Sequence, residues 1–169
     1  LGPNLDVVFD YCNRRFSVRT TTQLAIQILE IIQYIHSQKI VFCNVKPENF
    51  CLGRPNTPQA NQIYLIGFIH AKLFESETQQ HIAKSVARED EESSGGFGTP
   101  RYMSLHAHKG KALSRRDDLE SIGYMLLYFL RGRLPWQGLI HGTGLEKYER
   151  IYTIKKSIRL EELCHGMPS

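Results

Sequence analysis

The chain has 169 residues, 41% hydrophobic and 22% charged, the usage of one ordinary globular domain with enough apolar material for a core. Its net charge of +4 comes from scattered Lys and Arg, so nucleic acid is not indicated as a partner. No segment reads as a signal peptide or a bilayer span, and the four cysteines (12, 43, 51 and 164) form no Cys-x-x-Cys pair, which argues against a membrane partner and a zinc knuckle. The cysteines read as buried thiols of a reducing compartment, and the chain as intracellular, cytoplasmic or nuclear.

Asn4 can cap a short first helix with an apolar stripe of Leu5, Val8, Phe9 and Cys12. A second helix is predicted from about Thr20 to Ser37, where Leu24, Ile28, Ile31, Ile32 and Ile35 recur at spacings of three and four. Ile40-Val41 and Phe50-Cys51-Leu52 read as short strands flanking a loop. Gly53 to Gln62 holds two prolines, two asparagines and a glycine, and reads as a turn. Ile63 to Ile66 is predicted as a third strand leading into Gly67-Phe68-Ile69.

Residues 73–97 are polar and poorly periodic, and include the acidic run Glu89-Asp90-Glu91-Glu92 before Ser93-Ser94. The Gly95-Gly96-x-Gly98 cluster has no strand before it and reads as a flexible loop, not a phosphate cradle. A strong helix over Arg116–Arg131 should bury Leu119, Ile122, Met125, Leu126 and Phe129, with Trp136 packed at its exit. A further helical stretch is predicted around Leu145–Ile154. His106 and His108 could share one face of a strand, but no third ligand accompanies them, so no metal site is predicted there.

The chemistry concentrates in Phe42-Cys43-Asn44-Val45-Lys46-Pro47-Glu48-Asn49. Protein kinases carry H-R-D-x-x-x-x-N here, in which the Asp takes the substrate hydroxyl proton and the Asn holds Mg²⁺. The spacing from Asn44 to Asn49 is intact, with Asn44 in place of the Asp. Where kinases then show Asp-Phe-Gly after a strand, this chain shows Gly67-Phe68-Ile69, followed by Ala71-Lys72.

Other runs fall in one family order. They are Leu1-Gly2-Pro3-Asn4-Leu5, Tyr34-Ile35-His36-Ser37, Gly98-Thr99-Pro100-Arg101-Tyr102-Met103-Ser104 and Ser114-Arg115-Arg116-Asp117-Asp118-Leu119-Glu120-Ser121-Ile122-Gly123-Tyr124. Leu134-Pro135-Trp136-Gln137-Gly138-Leu139 and Lys147-Tyr148-Glu149-Arg150-Ile151 complete the set. Together they make the chain resemble the casein kinase I family of Ser/Thr protein kinases.

The resemblance implies a fold that is mainly α with short β strands, the carboxy-terminal lobe of the protein kinase fold without the amino-terminal lobe. Residues 1–169 then read as a partial kinase domain that begins just after the hinge and stops before the last helices. Phe42, Phe68 and Asp118 match the family's structural column, with Asp118 accepting hydrogen bonds from the backbone around Phe42 and Cys43. Cys51 and Ile66 match the adenine floor. Arg101 and Lys147 match two basic positions that read acidic or phosphate-primed substrates, while Gly144 and Leu145 replace expected basic residues.

At the catalytic positions the resemblance sets Asn44, Lys46 and Asn49 against two losses. Asn44 can orient a hydroxyl but cannot take its proton, a role worth on the order of 10²–10⁴-fold. Gly67 supplies no oxygen where the family has its principal metal carboxylate, leaving Asn49 as a weak, neutral metal ligand. ATP and Mg²⁺ are the family's cofactors, and none is expected for this chain. The leading expectation is a casein kinase I-like pseudokinase, a scaffold or competitor for protein partners or substrates, an active casein kinase I among them. The alternative is a Ser/Thr kinase that transfers the ATP γ-phosphate to acidic or primed proteins in its full-length form.

Overall fold

Ser17 opens the longest helix, accepting the Thr20 N–H at 3.0 Å, so α2 runs Val18–Ser37 and starts earlier than its apolar period suggests. The computed structural model describes residues 1–74, 99–139 and 143–167. Asn4 caps α1 (Leu5–Tyr11) by accepting the Val7 N–H at 3.0 Å. α4 runs Arg115–Arg131; at its start Ser114 N–H donates to Asp117 Oδ2 at 2.8 Å. Gly132 ends it at φ 82°, where an added Cβ would lie 2.7 Å from the Arg14 carbonyl oxygen. α3 is Leu105–His108, α5 is Gly144–Ser157 and α6 is Leu160–Leu163.

The core forms where α2 meets α4. Leu24, Ile28, Ile32 and Ile35 on α2 and Ile122, Met125, Tyr128 and Phe129 on α4 are buried. Each fully buried large apolar side chain stabilises the fold by about 1.5–3 kcal/mol. Phe9, Phe16 and Phe129 add a ring cluster with centroids 4.9–5.3 Å apart.

Four short strands form two antiparallel pairs. β1 (Ile40–Val41) pairs with β4 (Lys72–Leu73) in the register Ile40↔Leu73. β2 (Phe50–Leu52) pairs with β3 (Ile63–Leu65) in the register Cys51↔Tyr64. The segments 42–49 and 66–71 are thereby held at both ends by paired strands and face each other. Gln27 on α2 ties in the intervening turn, accepting the Ile63 N–H at 2.9 Å. This mainly α fold with short strands is the fold class the sequence implies.

Several details differ from the sequence reading. His106 and His108 lie on α3, not on a strand, because Ser104 caps a helical turn by accepting the Ala107 N–H at 3.1 Å. Leu119 is 49% exposed rather than inward, while Tyr128 is fully buried. Cys12 and Cys164 are exposed, so the buried-thiol reading fails for both. β3 ends at Leu65, and α5 extends beyond the predicted stretch at both ends. Ser93, Ser94 and the Gly95-Gly96-x-Gly98 cluster lie outside the described residues. Among the described residues, no helix is long and apolar enough to cross a membrane, and no group of three or more His, Cys, Asp or Glu could hold a metal ion.

Candidate functional site

Asp118 anchors the loop from below. It is 2% exposed on α4, and its two oxygens accept the Phe42 and Cys43 N–H groups, each at 2.8 Å. His36 at the end of α2 adds a third partner, with Nε2 2.8 Å from Asp118 Oδ2. The sequence reading marked His36 only as part of a family-like run; the contact shows what it does. These bonds hold Cys43 at φ 63°, a left-handed conformation that a non-glycine residue rarely adopts. The Cys43 thiol is pushed up to about 12, first by burial and then by the Asp118 charge, so it is not a nucleophile at neutral pH.

Phe42 is fully buried and meets Phe68 edge to face, with ring centroids 5.3 Å apart. Phe68 itself is 46% exposed. The column of Phe42, Phe68 and Asp118 is therefore present as a set of contacts.

Asn44 and Asn49 are both buried and face each other through one bond, from Asn49 Nδ2 to the Asn44 carbonyl at 2.8 Å. Pro47–Asn49 forms a 3₁₀ turn, closed by Asn49 N–H to the Lys46 carbonyl at 3.0 Å. Ile66 N–H then reaches the Asn49 carbonyl at 2.9 Å, which brings Gly67 against the Asn49 side chain. Gly67 sits at φ 81°, and a Cβ there would lie 2.7 Å from Asn49 Oδ1. Cys51 on β2 is buried, and Ile66, just after β3, is partly exposed.

Arg101 belongs to the segment before α3. Its guanidinium lies 5.7 Å from the Tyr102 ring centre and 5.4 Å from that of Tyr128, a doubly stacked cation. The Trp136 indole donates to the Arg101 carbonyl at 2.8 Å. Lys147 lies near the start of α5. Farther along α5, Lys155 is buried and its ammonium donates to the Pro100 carbonyl at 2.8 Å and the Met103 carbonyl at 2.6 Å. Sequence reasoning passed over Lys155, which reads as one of two adjacent surface lysines.

The family model described as a protein kinase domain matches residues 4–165. Casein kinase I homolog 2 of Schizosaccharomyces pombe is 45% identical over 170 residues, covering 100% of this chain and 38% of that protein. Casein kinase I homolog 1 of the same yeast is 47% identical, covering 99% of this chain and 36% of its own length. Casein kinase I homolog 1 of Saccharomyces cerevisiae is 44% identical over 99% of this chain and 30% of its own length. The chain belongs to the protein kinase family, among the casein kinase I proteins. It spans little more than a third of the longest-covered of these relatives. Its fold is the mainly helical carboxy-terminal lobe of the protein kinase fold.

Against that family's need for Mg²⁺, the residues present do not fit. A metal site of this kind requires hard oxygen ligands, of which at least one is a carboxylate. Gly67 has no side chain, and the Asn49 amide fills the space where one would begin. Its nitrogen donates to the Asn44 carbonyl, which leaves the neutral Oδ1 as the amide atom facing residue 67, a weak ligand without a carboxylate beside it.

Proposed function

We propose that this chain serves a casein kinase I-like pseudokinase, a non-catalytic scaffold or competitor that engages protein partners or substrates inside the cell. The observation that carries this reading is the Asn49–Gly67 corner: residue 67 offers no carboxylate, and the Asn49 amide stands where a side chain there would begin. Asn44 supports it, since a carboxamide cannot act as the general base. The retained anchoring of the loop by Asp118 supports a scaffold role, because it keeps the loop's shape without using the catalytic positions 44 and 67. Arg101 and Lys147 supply cationic side chains for acidic or phosphorylated protein, an active casein kinase I being one candidate partner.

Nucleotide-dependent thermal stabilisation, measured with and without Mg²⁺ on the longest natural form of the protein, tests this. Saturating ligand at 100 times its Kd would add about 2.7 kcal/mol of stability. The expected result is no Mg²⁺-dependent shift with ATP. A clear Mg²⁺-dependent rise would favour a working kinase.

A further inference from the structure

Lys155 is 3% exposed, and its amine is the centre of a knot that joins three helices to the Arg101 segment. Two of its donors go to the Pro100 and Met103 carbonyls, which bracket Arg101 in the chain. The third faces His108 Nε2 on α3 at 3.3 Å. Two aromatic faces close over it, Tyr124 at 4.8 Å and Trp136 at 5.0 Å from ring centre to nitrogen. Trp136 in turn donates to the Arg101 carbonyl, so both backbone ends and the middle of the segment are held by one cluster. α5 carries Lys147 as well as Lys155.

We infer that Lys155 is the positioning residue of the Arg101–Lys147 anion site: by fastening the Pro100 and Met103 carbonyls to α5, it fixes the backbone that presents Arg101 relative to the helix that presents Lys147. The inference rests on the reading of Arg101 and Lys147 as an anion-binding pair. Burying an ammonium is costly, and a cation is kept there because it meets carbonyl oxygens and ring faces together. A neutral side chain of similar length would leave two carbonyls without donors and free the segment from α5.

The titratable groups facing Lys155 are His108 on α3, Glu120 and Tyr124 on α4, and Tyr148 and Tyr152 on α5, which ring His108. Burial pushes the Lys155 ammonium down to about 7, with Glu120 opposing. His108 is held neutral above about 4, first by burial and then by Lys155 itself. Burial raises the Tyr124 and Tyr148 hydroxyls further above their ordinary value of 10.0, so both stay neutral. The charge on Lys155 is therefore the one in this knot that changes around neutral pH.

The test is sulfate titration of the 169-residue chain, followed by the indole ¹H–¹⁵N resonance of Trp136, its single tryptophan. Sulfate stays dianionic throughout the range used. Wild type should give a saturable shift that R101A with K147A abolishes. K155M should weaken sulfate at least tenfold while keeping a folded spectrum. K155R, which keeps a cation with donors for the same carbonyls, should hold sulfate within threefold of wild type. If K155M does not fold, K155Q decides the matter: it should weaken sulfate at least fivefold. Sulfate affinity within twofold of wild type in folded K155M or K155Q overturns the role of Lys155 and leaves the anion site standing. No saturable shift in wild type at pH 6 overturns the anion-site reading, and this inference with it.

Discussion

Asn49 occupies the place that a side chain at residue 67 would need: its Oδ1 lies 2.7 Å from the Cβ position of Gly67. The glycine is thus more than the loss of a metal ligand. Its φ of 81° favours glycine, and the Asn49 amide would have to turn aside to admit a side chain there.

Gly67→Ala should therefore destabilise the protein. The left-handed backbone alone costs a non-glycine residue about 1–2 kcal/mol, and displacement of Asn49 adds to it. Urea unfolding should show a lower midpoint with an unchanged slope. Gly67→Ala combined with Asn49→Ala should cost less than the sum of the two single changes, because removing the amide relieves the contact.

Asp118→Ala should remove the shared acceptor of Phe42, Cys43 and His36. Each buried donor left without a partner costs roughly 1–3 kcal/mol. The Phe42 amide, which is fully buried, should gain measurable hydrogen exchange in this variant. A melting temperature equal to that of the unmodified chain would contradict the anchoring role.

Acid should unfold the protein earlier than its carboxylates alone require. His108 has a folded value of about 4 against 6.5 in the unfolded chain, lowered first by burial and then by Lys155. The unfolded state therefore takes up a proton that the folded state refuses. The stability this group provides is complete above pH 6.5 and is lost as pH falls towards 4. Lys155, at about 7 folded against 10.5 unfolded, has the same sign: stability rises as pH climbs from 7 to 10.5. Calorimetry across pH 4–7 should show the melting temperature falling with acid, and His108→Gln should flatten that slope.

Thiol labelling separates the four cysteines. Cys12 and Cys164 are exposed, Cys51 is buried, and the Cys43 thiol stays protonated. A disulfide reagent at pH 8 should modify two thiols per folded chain and all four after denaturation.

The parts of this molecule legible in its sequence are those set by period and spacing. α2 and α4 follow from apolar residues three and four apart, whereas the Asp118 anchor is implied by the resemblance to casein kinase I and not by any period. What escaped depends on conformation. His106 and His108 share a face only if the backbone is extended; on α3 they point about 200° apart, and Ser104 was the available signal for a helical turn. Leu119 lies on the helix period but near its edge, where burial ends. The Asn49–Gly67 contact requires a backbone angle that no residue pattern reports. Lys155 looks like a solvated lysine until the carbonyls of Pro100 and Met103 are seen around it.

We propose that this corner of the fold carries no phosphotransferase chemistry. The most direct measurement is γ-phosphate incorporation from labelled ATP into dephosphorylated casein by the longest natural form of the protein, with Mg²⁺ present. A Lys46→Ala, Asn49→Ala variant, prepared in the same way, serves as the background. The account predicts incorporation equal to that background. Mg²⁺-dependent incorporation clearly above it would contradict the account.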